Sequence, residues 1–322
     1  MREITFLDAI NEAIDEEMER DLGVFVLGES IVSAQASTAI FKGLAEKYGQ
    51  KRVRETAISE TAILGTAIGA AATGMRPIAS IMLCDFLGVC GDELINQLQM
   101  RYMFGGKTKL PLTIIVSSGA GVSASAQHSK SLDGWLMAIK GLKIVTPSNT
   151  YNAKGLLKSA IRDDNPVVFL EHKLLGREKG EIPDGEYLVP LGKADIRRQG
   201  SDVTVVATVA MVQQALKAAA KLEEKGLSTE VIDLHTLVPL DKETIISSVK
   251  KTGRLVVMME EPVTGGAAAE VAAVVADEAF DYLDAPIKRV CAPDTPVPFS
   301  PALEKYWLPD DEKLIKAITA IT

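Results

Sequence analysis

Short runs of Val, Ile and Leu recur along this chain, each followed by apolar residues at helical spacing, and this alternation restricts the fold more than any other feature. Val24–Leu27, Ile78–Leu83, Leu112–Val116, Val167–Leu170, Val203–Val209 and Leu255–Met259 are nearly unbroken apolar or β-branched runs. Such runs are strands covered on both faces, as in a parallel sheet. Between them lie Ala-rich helical patterns, the first being Phe6, Leu7, Ile10, Ile14 and Met18 behind the capping residue Thr5. The expected fold class is α/β, with doubly wound sheets. A chain of 322 residues, 47% of them hydrophobic, can bury two cores of this kind.

The division follows from a change in texture. Residues 171–200 are richer in Gly, Pro and charge, hold no sustained period, and read as a linker. We therefore expect a first domain over 1–185 and a smaller one over 186–322. Within the first, Thr38 to Tyr48 reads as a helix closed by Gly49, and Asp85 as the start of a long helix reaching about Phe104. Residues 31–36 and Gly119 to Ser131 read as loops rich in small residues.

The formal charge of −8, from 43 acids against 35 bases, argues against nucleic-acid and anionic-membrane partners. No run of about 18 apolar residues is present to span a membrane, and Met1 to Thr5 lacks the apolar core of a signal peptide. The three cysteines, Cys84, Cys90 and Cys291, form no C-x-x-C pair. Their odd number argues against a disulfide framework or a zinc or iron–sulfur site, and fits a reducing cytoplasm.

Chemistry is best placed on Thr56-Ala57-Ile58-Ser59-Glu60-Thr61, which runs into the small-residue segment Ala62 to Gly74. Gly65 and Gly69, one helical turn apart, give that segment a smooth face that a ring or a backbone can approach. A carboxylate at the mouth of an apolar wall gains proton affinity by desolvation. Two readings of Glu60 stand: an acid that exchanges a proton with a heterocycle, or a first-turn acid answering the helix dipole.

None of the three histidines has metal-ligand spacing to another. His172 and His235 follow strand-like runs and read as satisfied structural residues. His128 lies in Ser125-Ala126-Gln127-His128-Ser129, inside a small polar loop, where an imidazole can move a proton near neutral pH. No G-x-x-x-x-G-K-[ST] loop and no G-x-S-x-G elbow occurs, so the chain lacks a phosphate-binding motif of its own.

Thr56-Ala57-Ile58-Ser59-Glu60, Gly74-Met75-Arg76-Pro77-Ile78 and Ala126-Gln127-His128-Ser129 together resemble the beta chains of thiamine-diphosphate-dependent 2-oxo acid dehydrogenases, a transketolase-like family. Gly141 to Ser148, Asn165-Pro166-Val167 and Leu237 to Asp241 follow in the family's order. Arg101 to Lys107 and Asp284 to Pro301 are most similar to the acetoin-cleaving branch.

The resemblance implies a pyrimidine-type thiamine-diphosphate-binding domain followed by a transketolase C-terminal-like α/β domain. It implies an alpha partner, in an α2β2 heterotetramer, that carries a Gly-Asp-Gly diphosphate motif and holds magnesium. It also implies a lipoyl-bearing acyltransferase and a small-molecule substrate: acetoin, or alternatively pyruvate or a branched-chain 2-oxo acid. Glu60 matches the acid that bonds the pyrimidine ring, and Glu29 an acid near the cofactor. Phe86 matches a pyrimidine-stacking aromatic, though a core role stands beside it. His128 matches a histidine facing the substrate and the lipoyl group. Ala160, Ile161, Asp163 and Asn165 match a structural potassium site. The chain departs from the family at Ala57, where Pro is usual, and at Ser123 and Ser125, where Gly is frequent. A non-catalytic α/β binding or scaffold subunit is the rival of a different class.

Overall fold

The structure, a computed structural model, describes residues 1–32 and 36–322. Part of the loop expected over 31–36 therefore lies outside the described residues.

The first half alternates as expected. β1 (Arg2–Thr5) runs into α1 (Phe6–Arg20), whose start is fixed by the Thr5 hydroxyl accepting the Asp8 N–H at 3.2 Å. Then come β2 (Val24–Glu29), α2 (Leu44–Tyr48), β3 (Val53–Thr56), α3 (Glu60–Ala72) and β4 (Arg76–Leu83). Two short helices, α4 (Gly91–Ile95) and α5 (Met100–Met103), precede β5 (Thr113–Ser118). α6 (Asp133–Ala138), β6 (Lys143–Val145), α7 (Thr150–Arg162), β7 (Val167–His172) and β8 (Lys179–Ile182) follow.

The second half holds β9 (Asp195–Arg198), β10 (Val203–Ala207), α8 (Val209–Glu223), β11 (Thr229–Asp233), β12 (Thr236–Val238), α9 (Lys242–Thr252) and β13 (Leu255–Pro262). α10 (Ala267–Glu278), β14 (Lys288–Ala292), α11 (Pro301–Trp307) and α12 (Asp311–Thr319) close it.

These elements form two compact units: Met1–Ser118 with Ile139–Leu191, and Gly119–Ala138 with Gly192–Thr322. In the first, the strands run β6-β7-β5-β4-β2-β3, each pair parallel, while β1 and β8 form a separate antiparallel ribbon. α3 packs on β2 and β4, and α1 packs along α7. That last interface is ionic as well as apolar. Glu17 is fully buried and accepts Arg162 Nε and Nη2, while Lys154 and Lys158, each 2% exposed, reach Glu16 at 2.5 and 2.6 Å. In the second unit the order is β14-β13-β10-β11-β9, parallel except for β9. α8 and α12 pack together on this sheet, as do α9 and α10.

Three expectations are corrected. The long helix from Asp85 to Phe104 is broken into short 3₁₀ and α segments, the first break falling at Val89 and Cys90, between Gly88 and Gly91. Glycine costs helix stability, and two within four residues stop propagation. The helix over Thr38 to Tyr48 is interrupted at Gly43, whose φ of +79° is left-handed. The linker over 171–200 contains two strands, β8 and β9. α6, α11 and β12 were not expected.

Candidate functional site

The first group of candidate side chains sits at the carboxyl ends of the parallel strands, where α/β sheets bind ligands. β2 ends in Glu29, in register with Thr56 at the end of β3, and the chain from Thr56 turns into α3 with Glu60 as its first residue. Gly28 lets β2 lie close to β4, since a Cβ there would stand 2.8 Å from Ser80 Cβ and 2.9 Å from Ser80 O. α3 buries Ile63, Leu64, Ala67, Ile68 and Ala71 and leaves Gly65 and Gly69 exposed, with no neighbour within 4 Å of a Cβ at Gly69. The smooth face read from the sequence is thus an open one.

Glu29 and Glu60 are 9% and 8% exposed. Among the described residues Glu29 Oε2 is buried without a hydrogen-bond partner. Burial raises the proton affinity of Glu29, and the charge of Glu60 adds to it. Two acids in each other's field, one with an unsatisfied oxygen, suit a ring that both donates and accepts hydrogen bonds. Phe86 follows on the turn after β4, half-buried. Glu29 also lines a cavity of about 10 Å³ with Ser80, Ser117 and Glu171, room for about one water. Burial pushes the Glu171 carboxyl up to about 7, against the opposing charges of His172 and Lys173.

Ala160, Ile161, Asp163 and Asn165 lie together at the carboxyl end of α7. The carbonyls of Ile161 and Asp163 accept Arg76 Nη1 at 3.2 and 3.0 Å, and Asp163 Oδ1 accepts the Asn165 N–H at 2.8 Å. A carbonyl has a second lone pair, so this set of hard oxygens at a helix C-terminus is compatible with an alkali cation beside the guanidinium. Among the described residues no group of three or more His, Cys, Asp or Glu is arranged to hold a metal ion.

His128 belongs to the second unit, on the exposed loop Gly119 to Ser131, where its N–H donates to Ser125 O at 3.3 Å. The loop is gripped by buried acids from the C-terminal half. Glu260 accepts Ala120 N at 2.7 Å and Ser131 Oγ at 3.2 Å, and Glu261 accepts Gly134 N at 3.0 Å. Glu304 accepts Gly121 N and Ser123 N, both at 2.8 Å. Ser123 and Ser125 have φ of +55° and +69°, left-handed values that cost a non-glycine residue about 1 kcal/mol or more. Glycine would adopt these values without that cost. Asp133, buried between Glu260 and Glu261, holds its proton well above the ordinary carboxylate range, through burial first and then the two neighbouring charges. Beside the loop lies a cavity of about 730 Å³ within this unit, with Gln127, Trp135, Glu261 and Trp307 among its walls.

Sequence reasoning missed Glu171, Glu260, Glu261 and Glu304. The first three had a signal: each follows the apolar run of its strand, at the same kind of strand end as Glu29. Glu304 had none, because its partners lie far away in sequence.

The family model described as the transketolase pyrimidine binding domain matches residues 2–179, and that of the transketolase C-terminal domain matches 192–314. The chain is 47% identical to the acetoin:2,6-dichlorophenolindophenol oxidoreductase subunit beta of Bacillus subtilis, over 98% of this chain and 96% of that one. It is 42% identical to the 2-oxoisovalerate dehydrogenase subunit beta of the same organism, over 99% and 98%. Among solved structures it superposes on a split-gene transketolase, described as an inactive beta4 tetramer, with a TM-score of 0.83 and 24% identity over 99% and 98% of the two chains.

Proposed function

Because the chain belongs to the beta subunits of the thiamine-diphosphate-dependent 2-oxo acid dehydrogenases, we propose that it is the beta half of an acetoin-cleaving enzyme that passes an acyl unit to a lipoyl carrier. Acetoin is the substrate printed in the name of the 47% identical relative. The observation that carries the reading is the Glu29–Glu60 pair at the strand ends, with one buried carboxylate oxygen left unsatisfied.

In this reading Glu60 bonds a pyrimidine nitrogen, Glu29 faces the same ring, and Phe86 stacks on it. Bound there, thiamine diphosphate supplies the carbanion-stabilising chemistry. The residues of this chain orient the ring and set its protonation. His128 would act later: as the carbanion-level acyl donor gives its electron pair to one dithiolane sulfur and the S–S bond opens, the other sulfur leaves as a thiolate and would take its proton from His128 in the imidazolium form. The diphosphate and its magnesium fall to an alpha partner with a Gly-Asp-Gly motif. Ala160, Ile161, Asp163 and Asn165 hold a structural potassium. We place the domain boundary at 185/186, a division supported by the gap at 180–191 between the two family matches. We place the enzyme in the cytoplasm, in keeping with three free cysteines; among the described residues no helix is long and apolar enough to cross a membrane.

The test is a titration of thiamine diphosphate and magnesium into this chain alone, into its alpha partner alone, and into the mixture. Tight binding and acetoin-dependent turnover are expected only in the mixture. A chain that binds the cofactor unaided, or a mixture that binds none, refutes the reading. A panel of acetoin, pyruvate and branched-chain 2-oxo acids then ranks the substrates.

A further inference from the structure

We propose that Glu304 is a positioning residue for acyl transfer, holding the loop that carries His128 in its working conformation from the start of the helix α11. This rests on the reading of His128 given above.

Glu304 is 3% exposed, and its carboxylate is fully engaged by the loop. Oε1 accepts Gly121 N at 2.8 Å, and Oε2 accepts both Ser123 N at 2.8 Å and Ser123 Oγ at 2.9 Å. The two residues it grips have φ of +103° and +55°. Gly121 adopts that value freely, whereas Ser123 does not. At Ser123 the hydroxyl and the N–H converge on one buried oxygen, Glu304 Oε2, which offsets part of that strain.

Glu260 holds the outer ends of the loop, at Ala120 and Ser131, and Glu261 holds Gly134 beyond it. Glu304 grips its first half at Gly121 and Ser123, the latter five residues before His128. Only a carboxylate accepts on both oxygens. An amide in its place turns an N–H toward one of the three donors. Glutamine at this site therefore keeps the size of the side chain and breaks the grip.

The experiment uses the assembled α/β enzyme and two readouts: acyl transfer to free lipoamide, and reduction of 2,6-dichlorophenolindophenol, which bypasses that transfer. Glu304→Gln is expected to lower the ratio of transfer to dye reduction about 100-fold, the loss that follows about 1 Å of misplacement of a reacting group. Ser123→Ala removes one of the three bonds, leaves the carboxylate in place, and should lower the same ratio by a smaller factor. It serves where the Gln variant does not fold. His128→Ala is the reference arm. If it lowers the ratio while Glu304→Gln and Ser123→Ala leave it unchanged, the positioning role is wrong and the role of His128 stands. If His128→Ala itself leaves the ratio unchanged, the reading of His128 fails. Parallel loss of both activities in Glu304→Gln and Ser123→Ala marks a general structural role and also overturns the proposal.

Discussion

Glu29 holds its proton more tightly than an ordinary glutamate partly because Glu60 stands in its field. Burial is the larger cause, and the Glu60 charge reinforces it. Replacing Glu60 by Gln should therefore lower the Glu29 pKa without returning it to the ordinary value. Carboxyl-carbon NMR titration of the isolated chain reads this directly, and an unmoved Glu29 would show that the two acids are not electrostatically linked. In the assembled enzyme Glu60→Ala should cut turnover by about 100-fold or more, the usual worth of a positioned acid–base group. Near-normal turnover would remove Glu60 from the chemistry.

Glu171 should make stability depend on pH. Its folded-state carboxyl titrates at about 7, above the ordinary glutamate value, because it is buried. The stability tied to its proton is fully present below about pH 4.5 and is lost as pH rises through about 7, a change of about 3 kcal/mol for the group. Denaturation of wild type and Glu171→Gln across pH 4 to 8 compares the two. The variant should lose less stability over that interval, and identical slopes would show that Glu171 is not the group responsible.

Glu17 anchors α1 to α7. Removing a fully buried carboxylate leaves Arg162 and Lys158 with their charges and fewer partners. Glu17→Ala should destabilise the first unit by about 3 kcal/mol, measured by urea denaturation. A loss near that of a surface substitution would show that water takes over the role of the carboxylate.

Gly28→Ala puts a methyl group within 2.8 Å of Ser80 Cβ and 3.2 Å of Ile31 Cγ2. We expect about 1–3 kcal/mol of destabilisation from overpacking. Because Glu29 follows directly, cofactor affinity of the α/β enzyme should weaken as well. Full stability in thermal unfolding would mean that β2 and β4 separate easily.

The elements that were legible in the sequence are those whose pattern is local. β2, β4, β5 and α1 declare themselves through runs and helical spacing, and Thr5 and Asn149 cap their helices through side chains three residues from the N–H they bind. β8 and β9 escaped because each is four residues long, charged, and defined by its pairing: β8 meets β1 at the other end of the first unit. The site divided in the same way. Glu60 could be singled out because it follows directly on a polar turn and opens an apolar small-residue helix, and Glu29 came only with the family resemblance, whereas the hold of Glu304 on Ser123 spans 181 positions.

The segment Gly119–Ala138 leaves one folded unit, joins the other, and returns the chain to the first at Ile139. Gene splitting or domain shuffling with a single breakpoint would strand the imidazole with the wrong fragment. A chimera that exchanges the first unit between relatives has to move two pieces of coding sequence, 1–118 and 139–191, and one cut only after Leu191 takes His128 from one parent and Glu260 and Glu304, which hold its loop, from the other.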